Sequence, residues 1–204
     1  ASADYSQIEL RLLAHLSQDE TLAEAFRREE DIHARTASEI FGVPMEKVSP
    51  RMRREAKVIN FGIIYGMSAY GLAQQLNIEP KIAQAYIDEY FKKVPGVQAY
   101  IEKSLEEARQ KGYVTTLLQR RRYLPDIQSP TVAIRQASER MAINAPLQGT
   151  AADIIKVAMI RIQSRIEALR LSTKMIMQVH DELVFEVPEE ETQKGFLMIQ
   201  KEME

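Results

Sequence analysis

Asp4, Asp181 and Glu182 are the residues of this chain whose types and setting suit a metal ion. Asp4 lies in "SADYSQIELR", where a strand end runs into a helix, and Asp181 and Glu182 lie in "MIMQVHDELVFEV", between two alternating apolar runs. Magnesium prefers hard oxygen ligands, often one or two carboxylates, and completes its shell with water and substrate phosphates. Two aspartates on neighbouring strand ends would supply such a site. Each residue also has an ordinary explanation. Aspartate is common in turns because its side chain bonds nearby amides, and an acidic residue beside a helix start favours the helix dipole. Asp181 becomes a metal candidate only if the fold sets Asp4 beside it. The internal "HDEL" is no retrieval signal, since that signal is read at a C-terminus.

A second constellation is "RMRREAKVINFGIIYG", Arg51 to Gly66. Arg53, Lys57, Phe61 and Tyr65 recur every fourth residue, which on an α-helix drifts ~40° per step and spans ~18 Å. One face then shows two cations followed by two aromatic rings, the order of a nucleoside triphosphate: anionic phosphates, then sugar and stackable base. Arginine offers phosphate a planar fork, and lysine a compact ammonium that can give up a proton. An amphipathic helix with a solvated basic end accounts for the cations equally well. Arg140, Asn144 and Gln148 repeat at the same interval and suit base edges or sugars, or a helix-end network. Arg120, Arg121 and Arg122 suit a phosphate backbone or a solvated hairpin tip. His33 by itself reads as a helix-surface residue.

The elements that must position these residues are mostly helical. The spacing predicts a first helix in "SQIELRLLAHLSQ", with Ile8, Leu12, Leu13 and Leu16 on one face and Ser6 and Glu9 as a capping box. Further helices are expected at 20–28, 32–41, 51–65 with Gly66 as its cap, from Pro80 to Lys93, and at 97–111 closed by Gly112. "GYVTTLLQRRRYLP" reads as a hairpin. Helix is expected again over 131–144 and 150–169, broken near Pro146. Last come two strands around His180, Asp181 and Glu182, with Met175, Met177 and Val179 expected on one face of the first and Leu183, Phe185 and Val187 on one face of the second. Helices between strands near the two ends predict an α+β fold: a small antiparallel sheet with a mostly helical insertion.

With 45% apolar and 27% charged residues among 204, the composition is that of an ordinary globular protein. The absence of cysteine excludes a disulfide scaffold and thiolate metal sites. A net charge of −2 points to no polyanionic partner by itself. No apolar run reaches membrane-spanning length and no signal-peptide pattern opens the chain, so no membrane partner and a cytoplasmic location are expected. Both ends read as cut, Asp4 lying three residues in and the far end stopping inside a helical pattern. A fragment of something longer is therefore expected.

Together these segments resemble a known family. "DYSQIELR" resembles the first palm motif of family-A DNA polymerases, the bacterial DNA polymerase I type. "RREAKVINFGIIYG" resembles their fingers-helix motif, and "VHDE" their last palm motif. "DIHARTA", "GYVTTLLQRRRYLPDI" and "INAPLQGTAADIIK" are also similar to family segments, so the likeness covers nearly the whole chain. The resemblance implies palm at 1–18 and 131–204 and fingers at 19–130. It implies Asp4 and Asp181 as ligands of two magnesium ions, for which manganese can substitute, with the Tyr5 carbonyl as a further ligand and Glu182 in support. Arg53, Lys57 and His33 would hold the triphosphate, Lys57 also protonating the leaving pyrophosphate. Phe61 would pack on the incoming sugar and base, Tyr65 would guard the templating site, Gln7 would line the nucleotide site and Glu9 would exclude a ribose 2′-hydroxyl. Arg140, Asn144, Gln148 and His180 would touch DNA.

The implied function is template-directed DNA synthesis in replication and repair, on primer-template DNA and deoxynucleoside triphosphates. The resemblance further implies a monomer within a longer chain, nucleoid-associated in a bacterium. The thumb, the palm strands before Asp4, the final segment and any exonuclease domains would lie outside this chain. A non-catalytic DNA-binding fragment and a single-subunit RNA polymerase are the alternatives, Glu9 arguing against the second. One departure stands out: Gln119 occupies a hairpin position where the family usually has glycine, so a wider or less stable turn is expected.

Overall fold

The computed structural model describes residues 1–204. In chain order the elements are β1 (Ser2–Asp4), α1 (Ile8–Ser17), α2 (Glu20–Arg27), α3 (Ile32–Phe41), α4 (Pro50–Ile64), α5 (Ala69–Leu76), α6 (Pro80–Lys93), α7 (Pro95–Lys111), β2 (Tyr113–Thr115), β3 (Arg121–Tyr123), α8 (Val132–Ala168), β4 (Lys174–Val179), β5 (Glu182–Glu186) and α9 (Thr192–Met203). The fold is α+β, helices with two small antiparallel sheets. No helix is long and apolar enough to cross a membrane.

The chain divides into two compact units, residues 1–9 with 148–204 and residues 10–147. These boundaries fall inside α1 and α8. The smaller unit is a three-stranded sheet of order β1-β5-β4. Leu183 and Phe185 of β5, Ile155, Ala158, Ile162 and Ile166 of α8, and Met198 and Ile199 of α9 form its core. Alternation along β5 works as expected, since Leu183 and Phe185 are both buried.

Alternation along β4 does not. Met175 faces Phe185 but Met177 faces Val184, so Ile176 is an extra, bulged residue. A bulge reverses the faces beyond it. Met175 therefore packs on the core, while Ile176, Met177 and Val179 are exposed. The expected single face of β4 is corrected on this point.

The larger unit holds α2 to α7, the β2–β3 hairpin and the first part of α8. Its helices stop and start on local signals. The Ser49 hydroxyl accepts the Met52 amide, with Pro50 as the first residue of α4. At the other end Gly66 takes φ 62°, its amide bonds the Ile63 carbonyl and the Met67 amide bonds Gly62, a Schellman motif. Helix α5 was not expected, because Gly71 lowers its propensity and it is short. Ser68 caps it and the buried Leu72 and Ala73 hold it. Helix α1 begins at Ile8 with Gln7 at φ 55°, which puts Ser6 and Glu9 one residue out of the capping-box register.

The largest departure is α8, which continues through Pro146 where a break was expected. Proline inside a helix costs ~3 kcal/mol through a lost hydrogen bond and a ring clash. Ala142, Ile143 and Leu147 are buried around it, and Ile155, Ala158 and Ile162 are buried farther along. Burying one such side chain stabilises by about 1.5–3 kcal/mol, so packing over the whole helix outweighs the local penalty.

The hairpin forms as expected, Tyr113 opposite Tyr123 and Thr115 opposite Arg121. Gln119 adopts φ 66°, the left-handed conformation that glycine takes without a steric penalty.

Asp19 ties two helix starts together. Its carboxylate, 4% exposed, accepts the Leu22 amide at 3.1 Å and the Gly96 amide at 2.9 Å. A Cβ on Gly96 would lie 2.9 Å from the Asp19 Cβ, so only glycine admits the contact. Asp19→Ala is expected to destabilise the larger unit by about 2–4 kcal/mol, a helix cap plus one buried charge-assisted bond. Urea unfolding measures this, and an unchanged midpoint would show that the bridge carries no stability.

Candidate functional site

The smaller unit brings the carboxylates together by strand pairing. β1 runs antiparallel to β5 with Ala3 opposite Leu183 and Asp4 opposite Glu182. Leu183 points into the core, so on a period of two its neighbour Glu182 and its partner Asp4 point to the other face. Beyond the strand the Tyr5 amide donates to the Asp181 carbonyl at 3.3 Å, which sets the two aspartates side by side. The Asp4 carboxyl is held above its ordinary value. Partial burial is the first cause, repulsion from Asp181 and then Glu182 follows, and the Tyr5 backbone amide works against them. No cation is among the groups acting on Asp4.

Carboxylates that repel one another at the end of a sheet are an arrangement that a divalent cation would relieve. No three His, Asp or Glu side chains form a closed cage. Two aspartates with a glutamate beside them are hard oxygen donors of the kind that an ion such as magnesium takes, with water and phosphate oxygens completing its shell.

Around this pair Tyr5 is half-buried against the core, and burial pushes its phenol up while Arg161 works in the opposite sense. Gln7 and Glu9 are half-buried at the start of α1. His180 is exposed in the two-residue turn between β4 and β5, with φ 53°. Its carbonyl accepts the Gln178 side-chain amide at 2.9 Å, which fixes the turn that presents Asp181. A non-glycine residue in left-handed backbone costs ~1–2 kcal/mol, so this turn is held under strain. Gln148 is exposed on the part of α8 that belongs to this unit.

The larger unit assembles the cations and rings on α3 and α4. Asp31 caps α3, one oxygen accepting the His33 and Ala34 amides at 3.0 Å each, while its other oxygen accepts the Arg53 Nε–H at 2.6 Å. Partial burial pushes the Asp31 carboxyl up, but Arg53 and the two amides outweigh it and the net shift is down. With Nε engaged, the two Nη groups of Arg53 remain for another anion. Lys57 Nζ lies 6.0 Å from the Phe61 ring centre, and the Phe61 and Tyr65 rings stack at 6.1 Å. The four-residue spacing thus produces the expected face.

His33 is not the surface residue that its isolated position suggested. It is 3% exposed, 5.9 Å from the Phe61 ring, with Nδ1 3.0 Å from the Asn60 amide nitrogen. Burial lowers its pKa first, Arg53 and Lys57 add to the effect and Asp31 opposes it. Arg140 is exposed, and its Cγ would meet a Cβ on Gly66 at 3.2 Å. The Oδ1 of Asn144 is buried with no hydrogen-bond partner.

Asp31, Thr36 and Asn60 went unremarked in the sequence. Asp31 had the signal of an acidic residue just before a helix. Asn60 had that of a lone amide inside "VINFG", where a buried polar group must find a partner.

The chain matches the family model described as DNA polymerase family A over residues 1–204. It is 55% identical over 203 residues to DNA polymerase I of Bacillus caldotenax, covering 100% of this chain and 23% of that protein. It is 53% identical over 201 residues to the thermostable DNA polymerase I of Thermus aquaticus, covering 98% of this chain and 24% of that one. A solved structure, the POL domain of Pol1 from M. smegmatis in complex with DNA primer-template and dNTP, matches with a TM-score of 0.96 and 48% identity, over 99% of this chain and 36% of that one. The chain therefore spans about a quarter of the length of these curated relatives.

Proposed function

The chain belongs to DNA polymerase family A, and from that membership we propose that it carries the palm and fingers parts of a template-directed DNA polymerase. The reaction is transfer of a deoxynucleotide to a primer 3′-hydroxyl with release of pyrophosphate, in replication and repair. Residues 1–18 and 131–204 supply palm and residues 19–130 fingers. The observation that carries the reading is the pairing of Asp4 with Glu182 and of Tyr5 with Asp181, which gathers carboxylates from opposite ends of the chain without a cation among the groups acting on Asp4. The Pol1 domain solved with primer-template and dNTP supports the same partners for this chain, working in the cytoplasm as a monomer within a longer protein.

Asp4 and Asp181, with the Tyr5 carbonyl, would hold two magnesium ions, for which manganese could substitute, with Glu182 in support. Bound there, the ions would supply Lewis acidity toward the 3′-hydroxyl and the phosphates. The chain's own groups do the positioning. Arg53 offers its Nη groups to the triphosphate, held by Asp31 at Nε. Lys57 offsets charge developing on the leaving group and gives it a proton. His33 donates to a phosphate oxygen. Phe61 packs on the incoming sugar and base, Tyr65 guards the templating position and Gln7 lines the nucleotide site. Arg140, Asn144, Gln148 and His180 contact DNA, the unpaired Asn144 oxygen being an acceptor in search of a donor.

Primer extension with this chain, compared with a longer polymerase that contains it, tests the reading. Salt-sensitive DNA binding without nucleotide addition in either would favour a DNA-binding role instead. Glu9 excludes a ribose 2′-hydroxyl, so Glu9→Ala is expected to raise ribonucleotide incorporation relative to deoxynucleotide by at least about tenfold. Competition between the two substrates on one primer measures that ratio, and an unchanged ratio removes Glu9 from sugar selection.

A further inference from the structure

Beneath the cationic face of α4 lies a buried polar chain that ends on His33, and two of its members, Asn60 and Thr36, have no part in the reaction chemistry. Asn60 is 1% exposed, His33 3% and Thr36 5%, and all three are linked. The Thr36 hydroxyl lies 2.9 Å from the Ile32 carbonyl and 3.1 Å from Asn60 Oδ1, and Asn60 Nδ2 lies 3.0 Å from His33 Nδ1. The hydroxyl has one proton and two acceptors in reach. The Ile32 carbonyl already receives the Thr36 amide in the helical ladder. Asn60 Oδ1 is buried and has the Thr36 hydroxyl as its donor, and a buried acceptor left without a donor costs about 1–3 kcal/mol. With its Oδ1 toward Thr36 and its Nδ2 toward the ring, Asn60 takes the Thr36 proton and offers its own N–H to the imidazole. A ring nitrogen that receives an amide N–H must be unprotonated, so Nδ1 is the bare nitrogen and the neutral ring carries its proton on Nε2.

We propose that the Thr36–Asn60 pair locks His33 in the Nε2–H tautomer, so that it offers phosphate a hydrogen-bond donor without a charge. The second clause rests on the reading of His33 as a triphosphate ligand; the tautomer itself does not. Asn60 and Thr36 are positioning residues that act through His33. The charged groups facing the ring are Asp31 at its own helix start and Arg53 and Lys57 from α4, and the two cations with burial hold off a second proton. A histidine with the other tautomer would turn a lone pair toward phosphate and would bind only after protonation. The arrangement gives the ring a donor that needs no added proton.

Long-range ¹H–¹⁵N spectroscopy of the labelled chain at neutral pH tests the proposal without any ligand. The expected result is an unprotonated Nδ1 and a protonated Nε2 for His33. The reverse assignment, or a ring protonated on both nitrogens, overturns it. Thr36→Ser is expected to keep the single tautomer, while Thr36→Val frees the Asn60 amide to turn and gives a mixture. An unchanged spectrum in Thr36→Val, with the fold intact, also overturns the proposal. Titration with magnesium–dTTP separates the two ideas. A shift of the Nε2–H signal supports the triphosphate role, and no shift with the tautomer as expected refutes that role alone.

Discussion

Asp181→Asn is expected to lower primer extension by about three orders of magnitude in a polymerase that carries this segment, while raising the melting temperature at neutral pH. The loss follows from the proposed role of Asp181 as a charged metal ligand, since such a metal would be worth several kcal/mol in the transition state, each ~1.4 kcal/mol being a factor of ten. The gain follows from the state of Asp4. Burial and its acidic neighbours hold its carboxyl above the ordinary value. The folded chain therefore binds this proton more tightly than the unfolded chain does. Stability falls as pH rises from the ordinary aspartate value through the raised one, and stays lower above it.

Replacing the Asp181 charge brings Asp4 back toward its ordinary value and removes part of that loss. The variant should melt above the parent at neutral pH, and the difference should close as pH falls through the same window. Single-turnover extension and melting across pH measure both effects. Full activity would remove Asp181 from the metal site, and a lower melting temperature at neutral pH would show that repulsion is not what Asp4 experiences.

Leu183→Ala is expected to cost about 2–5 kcal/mol, the range for truncating a buried leucine. Leu183 is fully buried, opposite Ala3 on one side and Gln178 on the other, in the core with Ile155, Ile162 and Phe185. It is the residue next to Glu182 on β5, so the cavity would open directly under the carboxylates. In a unit of this size the loss corresponds to a melting temperature lower by at least about 10 °C. Leu183→Met, which conserves volume, should cost under about 1.5 kcal/mol. Thermal and urea unfolding measure both variants, and a loss near 1 kcal/mol or less for alanine would mean that the sheet repacks around the gap.

Much of the local structure was legible in advance. The Ile32–Phe41 helix, the cationic and aromatic face of α4, its Gly66 end, the hairpin around Tyr113 and Tyr123, and the alternation of β5 all follow from signals within a few residues of one another. Gln119 was legible as a difficulty, and it takes the left-handed backbone that the position requires. Where reading failed, a contact distant in sequence had outweighed a local rule. Pro146 breaks a helix in isolation, but buried residues on both sides keep α8 continuous. Ile176 bulges out of β4 and reverses a pattern that would otherwise alternate. His33 is polar enough for the surface, yet Asn60 and Phe61 enclose it.

By itself the sequence determined the inventory: which carboxylates, cations and rings exist, and at what intervals along a helix or strand. Those intervals become geometry automatically, because helical and strand periods are properties of the backbone. Only the tertiary structure decided that Asp4 lies beside Asp181, since β1 and β5 come from opposite ends of the chain and nothing local states their register. It likewise decided that Asp31 holds Arg53 and that Asn60 holds His33, because each pair joins α3 to α4. A turn residue and a helix-surface residue acquire their chemistry from neighbours that the chain supplies only after it has folded.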